Sequence, residues 1–252
     1  MITLSKVGVS GRLDAINLVV NKAQHWHILG QNGAGKSTLL QIMAGLALPQ
    51  HGRCLLSGTP ISDYNLAHLA RFRAFHGQQQ VHSFAIPAGQ YIDFYGAGKG
   101  AHPLPAVLTE ALELKPLLSR PVTRLSGGEQ QRVNLARALW QVWTAIEAGE
   151  ALLVLDEPMQ GLDIRHQLTF LTFLQQLCQQ GNSTIISSHD LTLSARFASH
   201  AMLLNGGQQV ASGTISQVFT AENLKMGYGI AFDITNNQNT LQIHPQWPPV
   251  LS

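Results

Sequence analysis

The sequence predicts an α/β fold: a core built on a parallel sheet, an antiparallel β subdomain at the N-terminal end, and an inserted helical subdomain. Three observations carry this. A strand, a glycine-rich turn and a helix follow one another between residues 25 and 45. A continuous apolar strand, "ALLVLD", ends in acidic residues at Asp156 and Glu157. Between these two points the strand pattern lapses, and residues 79–149 read mostly as helix. The expected division is therefore an αβ core of residues 1–78 and 150–228, a helical insertion of residues 79–149, and a C-terminal tail of residues 229–252. A chain of 252 residues is long enough to bury a substantial core.

In chain order, "MITLSKVGV" and "RLDAINLVV" alternate as two half-buried antiparallel strands do. "HWHILG" reads as a buried strand running into the glycine-rich turn, and "GKSTLLQIMAGL" as a helix ending near Gly45. "GRCLLSG" is another strand, residues 62–71 a short helix, and "RAF" a short strand. Residues 88–95 and 105–113 are predicted helices, separated by a Pro- and Gly-containing loop that includes "GAGKG". "VNLARALWQVWTAI" is apolar round most of its circumference, which predicts a helix buried on several sides. "ALLVLD" fits the middle of a parallel sheet. Residues 164–180 form a helix, "STIISSHD" a strand, "LTLSARFA" a helix, and "AMLLNGGQQVASG" a hairpin turning at Gly206-Gly207. Residues 230–252, polar and Pro-containing, read as irregular.

Composition sets limits on function. The chain is 45% apolar and 12% charged, with a formal net charge of +2. Its densest basic spot, Arg71-Phe72-Arg73, is no nucleic-acid stripe. Cys54 and Cys178 match no metal spacing and are expected to be reduced packing residues. The N-terminus lacks the apolar core of a signal peptide. No run approaches the roughly 18 apolar residues of a membrane span, so any work at a membrane goes through another chain.

"GQNGAGKST" satisfies the phosphate-loop pattern completely: Gly30, Gln31, Asn32, Gly33, Ala34, Gly35, Lys36, Ser37 and Thr38. The glycines let backbone N–H groups and a helix N-terminus surround a phosphate. Lys36 reaches the β- and γ-phosphates, and the Ser37 hydroxyl ligates Mg²⁺. With its flanking strand and helix, the loop makes the core a P-loop NTPase of RecA-like form. Asp156 and Glu157 stand at the carboxyl end of a buried strand, where ligands bind in open parallel sheets. Adjacent strand residues point opposite ways. Asp156 can then hold Mg²⁺ while Glu157 polarises the attacking water. Gln78 follows a short strand. It is either a polar loop residue or a contact to Mg²⁺ and water, and Gln79 and Gln80 leave its position open by a residue or two. His189 ends another strand on the nucleotide side and is either structural or a γ-phosphate contact. His25 and His27 flank Trp26 with no third ligand in reach, which makes them packing or edge residues.

"LSGGEQQR", Leu125 to Arg132, carries a capping box in Ser126 and Glu129. Gly127 and Gly128 leave its backbone open to an anion, and the long apolar helix behind it directs a positive dipole end there. The stretch resembles the signature motif of ATP-binding-cassette (ABC) ATPases. "GLD", Gly161 to Asp163, follows Glu157 as the D-loop of that family does. Gln78 and His189 fall where the family has its Q-loop glutamine and switch histidine. The resemblance covers about residues 2–228. "HILGQNGAGKSTLL", "GQQQ", "LDEPMQGLD", "LCQQG" and "SSHDL" are similar to importer subunits for metal chelates, and in particular to ATP-binding subunits of bacterial vitamin B12 importers.

The resemblance implies a head-to-tail homodimer of nucleotide-binding subunits that sandwiches two ATP molecules. Each ATP would lie between the phosphate loop of one subunit and Ser126, Gly127, Gly128 and Glu129 of the other. Glu157 would be the general base, with His189 beside it in catalysis, and Asp163 would link the two sites. Ser37, Gln78 and Asp156 would hold Mg²⁺. The family further implies two polytopic membrane permease subunits, indirect work with a periplasmic binding protein, no nucleic acid, and a peripheral place on the cytoplasmic face of the inner membrane. Docking on the permease is expected near Gln78 to Ala88. Three features depart from the family pattern. No Phe, Tyr or Trp precedes Trp26 to stack on adenine, Gln31 stands in place of a common proline, and Gln160-Gly161 stands in place of the usual small pair before Leu-Asp. The rival readings are a soluble cassette ATPase acting on DNA or in translation, which would bring long insertions or a second cassette, and a P-loop kinase, which leaves the signature motif unexplained.

Overall fold

A computed structural model describes residues 2–77, 85–94, 96, 103–237 and 240–246. In chain order the first elements are β1 (Ile2–Val9), β2 (Leu13–Val20), β3 (His25–Gly30), α1 (Lys36–Met43), β4 (His51–Leu56), β5 (Thr59–Pro60), α2 (Leu66–Leu69) and β6 (Arg73–His76). Then come α3 (Ala88–Phe94), α4 (Ala106–Ala111), α5 (Gly127–Gln141), α6 (Trp143–Glu147), β7 (Leu152–Leu155), α7 (Ile164–Gln179) and β8 (Ser183–Ser187). The last are α8 (Leu191–Phe197), β9 (His200–Asn205), β10 (Gln208–Thr214), α9 (Ile215–Val218), α10 (Ala221–Tyr228), β11 (Phe232–Asn237) and β12 (Thr240–Pro245). The chain forms two compact units, Met1–Tyr64 with Ile185–Ser252, and Asn65–Thr184.

In the first unit β1 pairs antiparallel with both β2 and β4. The expected alternation appears as burial: Ile2, Leu4 and Val7 of β1 and Leu13, Ile16, Leu18 and Val20 of β2 face inward. β3 is buried along its length and pairs parallel with β9. β9 and β10 form the expected hairpin, and Gly206 and Gly207 take φ values of 54° and 82° at its turn. Positive φ at both central residues is what a tight hairpin of this twist requires.

The tail departs from expectation. Strands β11 (Phe232–Asn237) and β12 (Thr240–Pro245) pair antiparallel in place of irregular chain. Phe232 and Ile243 bury their side chains with Leu29, Leu203, Val218 and Leu224 in one apolar cluster. Burying those rings and methyls stabilises a hairpin whose other face is polar. The helices α9 and α10 ahead of it were also unread. Both have sequence-visible caps: Thr214 with Gln217 in a capping box, and Thr220 accepting from Asn223 N–H.

In the second unit β6 and β7 are parallel neighbours, with His76 beside Leu155. The predicted helix over 62–71 is shorter, beginning only after Asn65, whose side chain caps α2. The apolar helix after the signature stretch is two helices. At Val142 (φ −108°, ψ 19°) the backbone leaves the helical range, and α6 restarts with Trp143. Trp140 and Trp143, on either side of the break, are both buried. The expected helical insertion falls inside this unit. Gln78 and most of the expected docking stretch and of "GAGKG" lie outside the described residues. Cys54 and Cys178 are buried thiols that form no disulfide, and burial pushes the Cys54 thiol up to about 12. No helix among the described residues is long and apolar enough to cross a membrane.

Candidate nucleotide site

The phosphate loop sits in the first unit, between β3 and α1. Its glycines are used. Gly30, Gly33 and Gly35 have φ of 143°, 79° and 99°. A Cβ on Gly30 would lie 2.3 Å from the Leu204 carbonyl oxygen, and one on Gly35 2.7 Å from that of Arg12. Gly35 caps α1 without offering a side chain, so the N-cap makes no side-chain hydrogen bond to the helix. The buried Lys36 ammonium folds over the loop and donates to the carbonyl oxygens of Gly30 (2.8 Å) and Gln31 (3.0 Å). A cation and a helix N-terminus at one loop are the donor set that a bound polyphosphate takes. Asn32 and Gly33 are exposed, Ala34 is buried, and Ser37 and Thr38 are half-buried at the start of α1. The Gln31 side chain turns away and donates to the Tyr228 carbonyl at 2.7 Å, tying the loop to the end of α10.

His189 is exposed and lies just beyond β8, where Ser188 N–H donates to the Ile28 carbonyl of β3 at 3.1 Å. Asp190 then caps α8. The strand that delivers the phosphate loop thus also holds the chain leading to His189. Below the loop, His27 Nδ1 meets Ser194 Oγ at 2.8 Å, and His27 Nε2 meets His25 Nε2 at 2.9 Å. Burial pushes His25 down to about 4 and His27 well below its usual value. Both are packing residues, as the sequence suggested. Trp26 is buried and stacked on His200, and its ring N–H donates to Gln24, so its faces are not offered to an adenine.

The second unit carries the acidic residues. All of β7 is buried, and Asp156 with it; its N–H donates to the His76 carbonyl at 2.7 Å. Glu157 has a φ of +48°. For a residue with a Cβ this left-handed conformation costs about 1–3 kcal/mol and persists only where the surroundings enforce it. Two groups reach this turn: Gln160 N–H donates to the Glu157 carbonyl at 3.1 Å, and so does the side chain of Gln131, in the signature stretch. The Gln131 side-chain nitrogen donates to the carbonyls of Pro158 (3.0 Å) and Glu157 (3.4 Å) and lies 3.2 Å from His76 Nε2. Burial, aided by the Arg137 charge, pushes His76 down to about 4.

Ser126 caps α5 through the expected box: Ser126 Oγ accepts from Glu129 N–H at 3.3 Å, and Glu129 Oε2 accepts from Ser126 N–H at 2.8 Å. Arg120 grips the same carboxylate and, with the Ser126 N–H, holds it down at about 2. The two signature glycines differ. Space round Gly127 is open, whereas a Cβ on Gly128 would lie 2.6 Å from the Gly161 carbonyl oxygen. Gly128 is therefore closed against the turn that leads into Asp163. The Asp163 side chain is exposed, caps α7 by accepting from His166 N–H at 2.9 Å, and also meets His166 Nδ1. These hydrogen bonds from His166 lower its carboxyl pKa. His166 Nε2 in turn lies 3.2 Å from Glu113, which Arg165 clasps with both guanidinium nitrogens. The sequence reading did not single out Gln131, His76, Arg120 or Glu113. Only the position of Gln131 inside "LSGGEQQR" hinted at one of them.

Comparison with known proteins agrees with this arrangement. The ABC transporter family profile matches residues 13–160. The chain is 40% identical over 237 residues to the vitamin B12 import ATP-binding protein BtuD of Pectobacterium atrosepticum, covering 91% of this chain and 93% of that one. It is 39% identical over 229 residues to the protein of the same name from Escherichia coli, covering 91% and 92%. Among solved structures, a metal-chelate type ABC transporter in an inward-facing conformation matches with a TM-score of 0.76 at 25% identity, over 99% of both chains. The phosphate loop, the acidic strand end and the capped signature helix are thus those of a known lineage, and the chain belongs to the ABC transporter family.

Proposed function

We propose that this chain is the ATP-hydrolysing subunit of a bacterial importer that takes up vitamin B12 across the inner membrane. The observation that carries the reading is the 40% identity, over nearly the whole length of both chains, to a vitamin B12 import ATP-binding protein. A second reading, uptake of an iron–siderophore, haem or another metal chelate, draws on the likeness to a metal-chelate type transporter.

In this reading the N–H groups of Gly30 to Thr38 and the Lys36 ammonium bind the ATP phosphates. Ser37, Gln78 and Asp156 are the ligands for Mg²⁺, since hydroxyl, amide and carboxylate oxygens are the hard donors that ion takes. When bound, that ion neutralises charge on the β- and γ-phosphates. Glu157 accepts a proton from the attacking water, and His189 contacts the γ-phosphate. Ser126 to Glu129 offer the N-terminus of α5 to the ATP of a second copy, and Asp163 links the two sites. The helical insertion, residues 79–149, would carry movement to two membrane permease subunits. The chain would sit on the cytoplasmic face of the membrane, with a periplasmic binding protein acting at the far side.

The test is ATP turnover by the chain reconstituted in liposomes with the permease that co-purifies with it. Its binding protein is loaded in turn with cobalamin, a ferric siderophore or haem. Cobalamin-specific stimulation supports the first reading. Stimulation by another chelate alone selects the second, and co-purification with ribosomes or DNA in place of a permease overturns both.

A further inference from the structure

From the geometry we infer that Gln131 is a positioning residue for Glu157: its side-chain amide clamps the strained turn that aims the carboxylate. The inference rests on the reading of Glu157 as the base. The orientation of the amide is fixed by its surroundings. Two carbonyl oxygens, of Pro158 and Glu157, face the same side-chain atom. Turning the amide over would set its own oxygen against both, so that atom is the NH₂ group. As a donor, it requires His76 Nε2 to accept. The His76 ring proton therefore sits on Nδ1, which is buried and has no hydrogen-bond partner among the described residues. An unpaired buried donor is costly. Its retention follows if the ring's task is to receive Gln131 and hold it against Pro158.

The topology gives the clamp its reach. Gln131 lies one turn inside α5, on the helix that Ser126 caps. His76 ends β6, two residues before Gln78. Glu157 lies two residues beyond β7, the parallel neighbour of β6. One side chain thus touches the three segments that carry the signature motif, the Q-loop and the general base. With φ at +48°, the Glu157 turn has no intrinsic preference for its conformation. Gln160 N–H also donates to the Glu157 carbonyl, at 3.1 Å; losing the Gln131 bonds would let the Pro158 side of the turn relax and swing the carboxylate off its line.

The experiment compares the full-length chain with Gln131→Met, Glu157→Gln and the double variant, using single-turnover ATP hydrolysis, KM for ATP and thermal melting. Gln131→Met should lower kcat by about 10- to 100-fold, the scale that misplacing a catalytic group carries, and leave KM near its wild-type value. In the Glu157→Gln background the same substitution should add no further loss, because both act through one carboxylate. Gln131→Glu, which keeps the size but turns a donor into an acceptor facing two carbonyls, should reproduce the kcat loss if the Met variant folds poorly. A wild-type kcat in a folded Gln131 variant overturns the inference, as does an undiminished loss in the Glu157→Gln background. Unchanged turnover in Glu157→Gln alone overturns the base assignment first, and the inference with it.

Discussion

In the phosphate loop the backbone positions itself; at the end of β7 it is braced from outside. Gly30, Gly33 and Gly35 reach positive φ at little steric cost, and Lys36 closes the loop on its own carbonyls. At Glu157 a residue with a full side chain takes a similar hand. Its turn accepts hydrogen bonds from the backbone of Gln160 and from Gln131, a residue contributed by the signature helix. In the proposed reading the phosphate loop recognises a constant group, for which glycine suffices, whereas the acidic turn presents a carboxylate, which glycine lacks, and a neighbour braces it. The difference also explains why one site announces itself as a motif while the support of the other is scattered along the chain.

The strongest way to break this comparison is Glu157→Gln. Turnover should fall by about 10²–10⁴, the worth of a positioned base, while ATP binding to the phosphate loop persists. A variant that turns over normally would mean that the strained turn serves something other than proton transfer. A smaller effect is expected at Gly128. Its Cβ would press on the Gly161 carbonyl, an overpacking of about 1–3 kcal/mol placed between the signature glycines and the D-loop. Gly128→Ala should weaken the ATP-induced dimer by about tenfold or more without changing ATP affinity of the monomer. Sedimentation of the variant with ATP, in a Glu157→Gln background, measures it. An unweakened dimer would show that this close approach plays no part in closure.

The smallest effect sharpens the phosphate-loop side, whose strand rests on the buried pair His25 and His27. Both have folded-state pKa values below the ordinary one, His25 at about 4, because burial resists the charge. The unfolded chain takes up these protons near pH 6.5 and the folded chain only well below it. The unfolded state therefore binds more protons in that window, and stability is full above about pH 6.5 and lost as pH falls toward about 4. The melting temperature should drop by several degrees across this window, and His25→Asn should flatten the slope. A melting temperature that stays level in the wild type would leave the pair without a stabilising role.

Much of the fold was legible because its signals are local. Alternation gave β1 and β2, and turn chemistry gave the β9–β10 hairpin at Gly206-Gly207. The phosphate loop, the acidic strand end and the Ser126–Glu129 box were each visible within a few residues of chain. The C-terminal hairpin was missed although Phe232, Ile234, Leu241 and Ile243 alternate. One polar face and an Asn- and Gln-rich connecting sequence hide a strand pair whose stability comes from the cluster it packs against. The break at Val142 was missed because apolar periodicity runs on through it while the backbone does not.

By itself the sequence determined which residues can bind phosphate, supply a carboxylate and cap a helix, since those capacities belong to side-chain chemistry and short spacings. It also carried the family, because the motifs come in one order along the chain. Tertiary structure alone decided that Gln131 lies on the Glu157–Pro158 turn, that Gly128 is closed against Gly161, and that Gln31 reaches Tyr228. Each of these joins residues too far apart in sequence for any periodicity to report. Hydrogen bonds and close packing depend on where the folded backbone brings two atoms, and that is set by the sum of all the burial that closes the core.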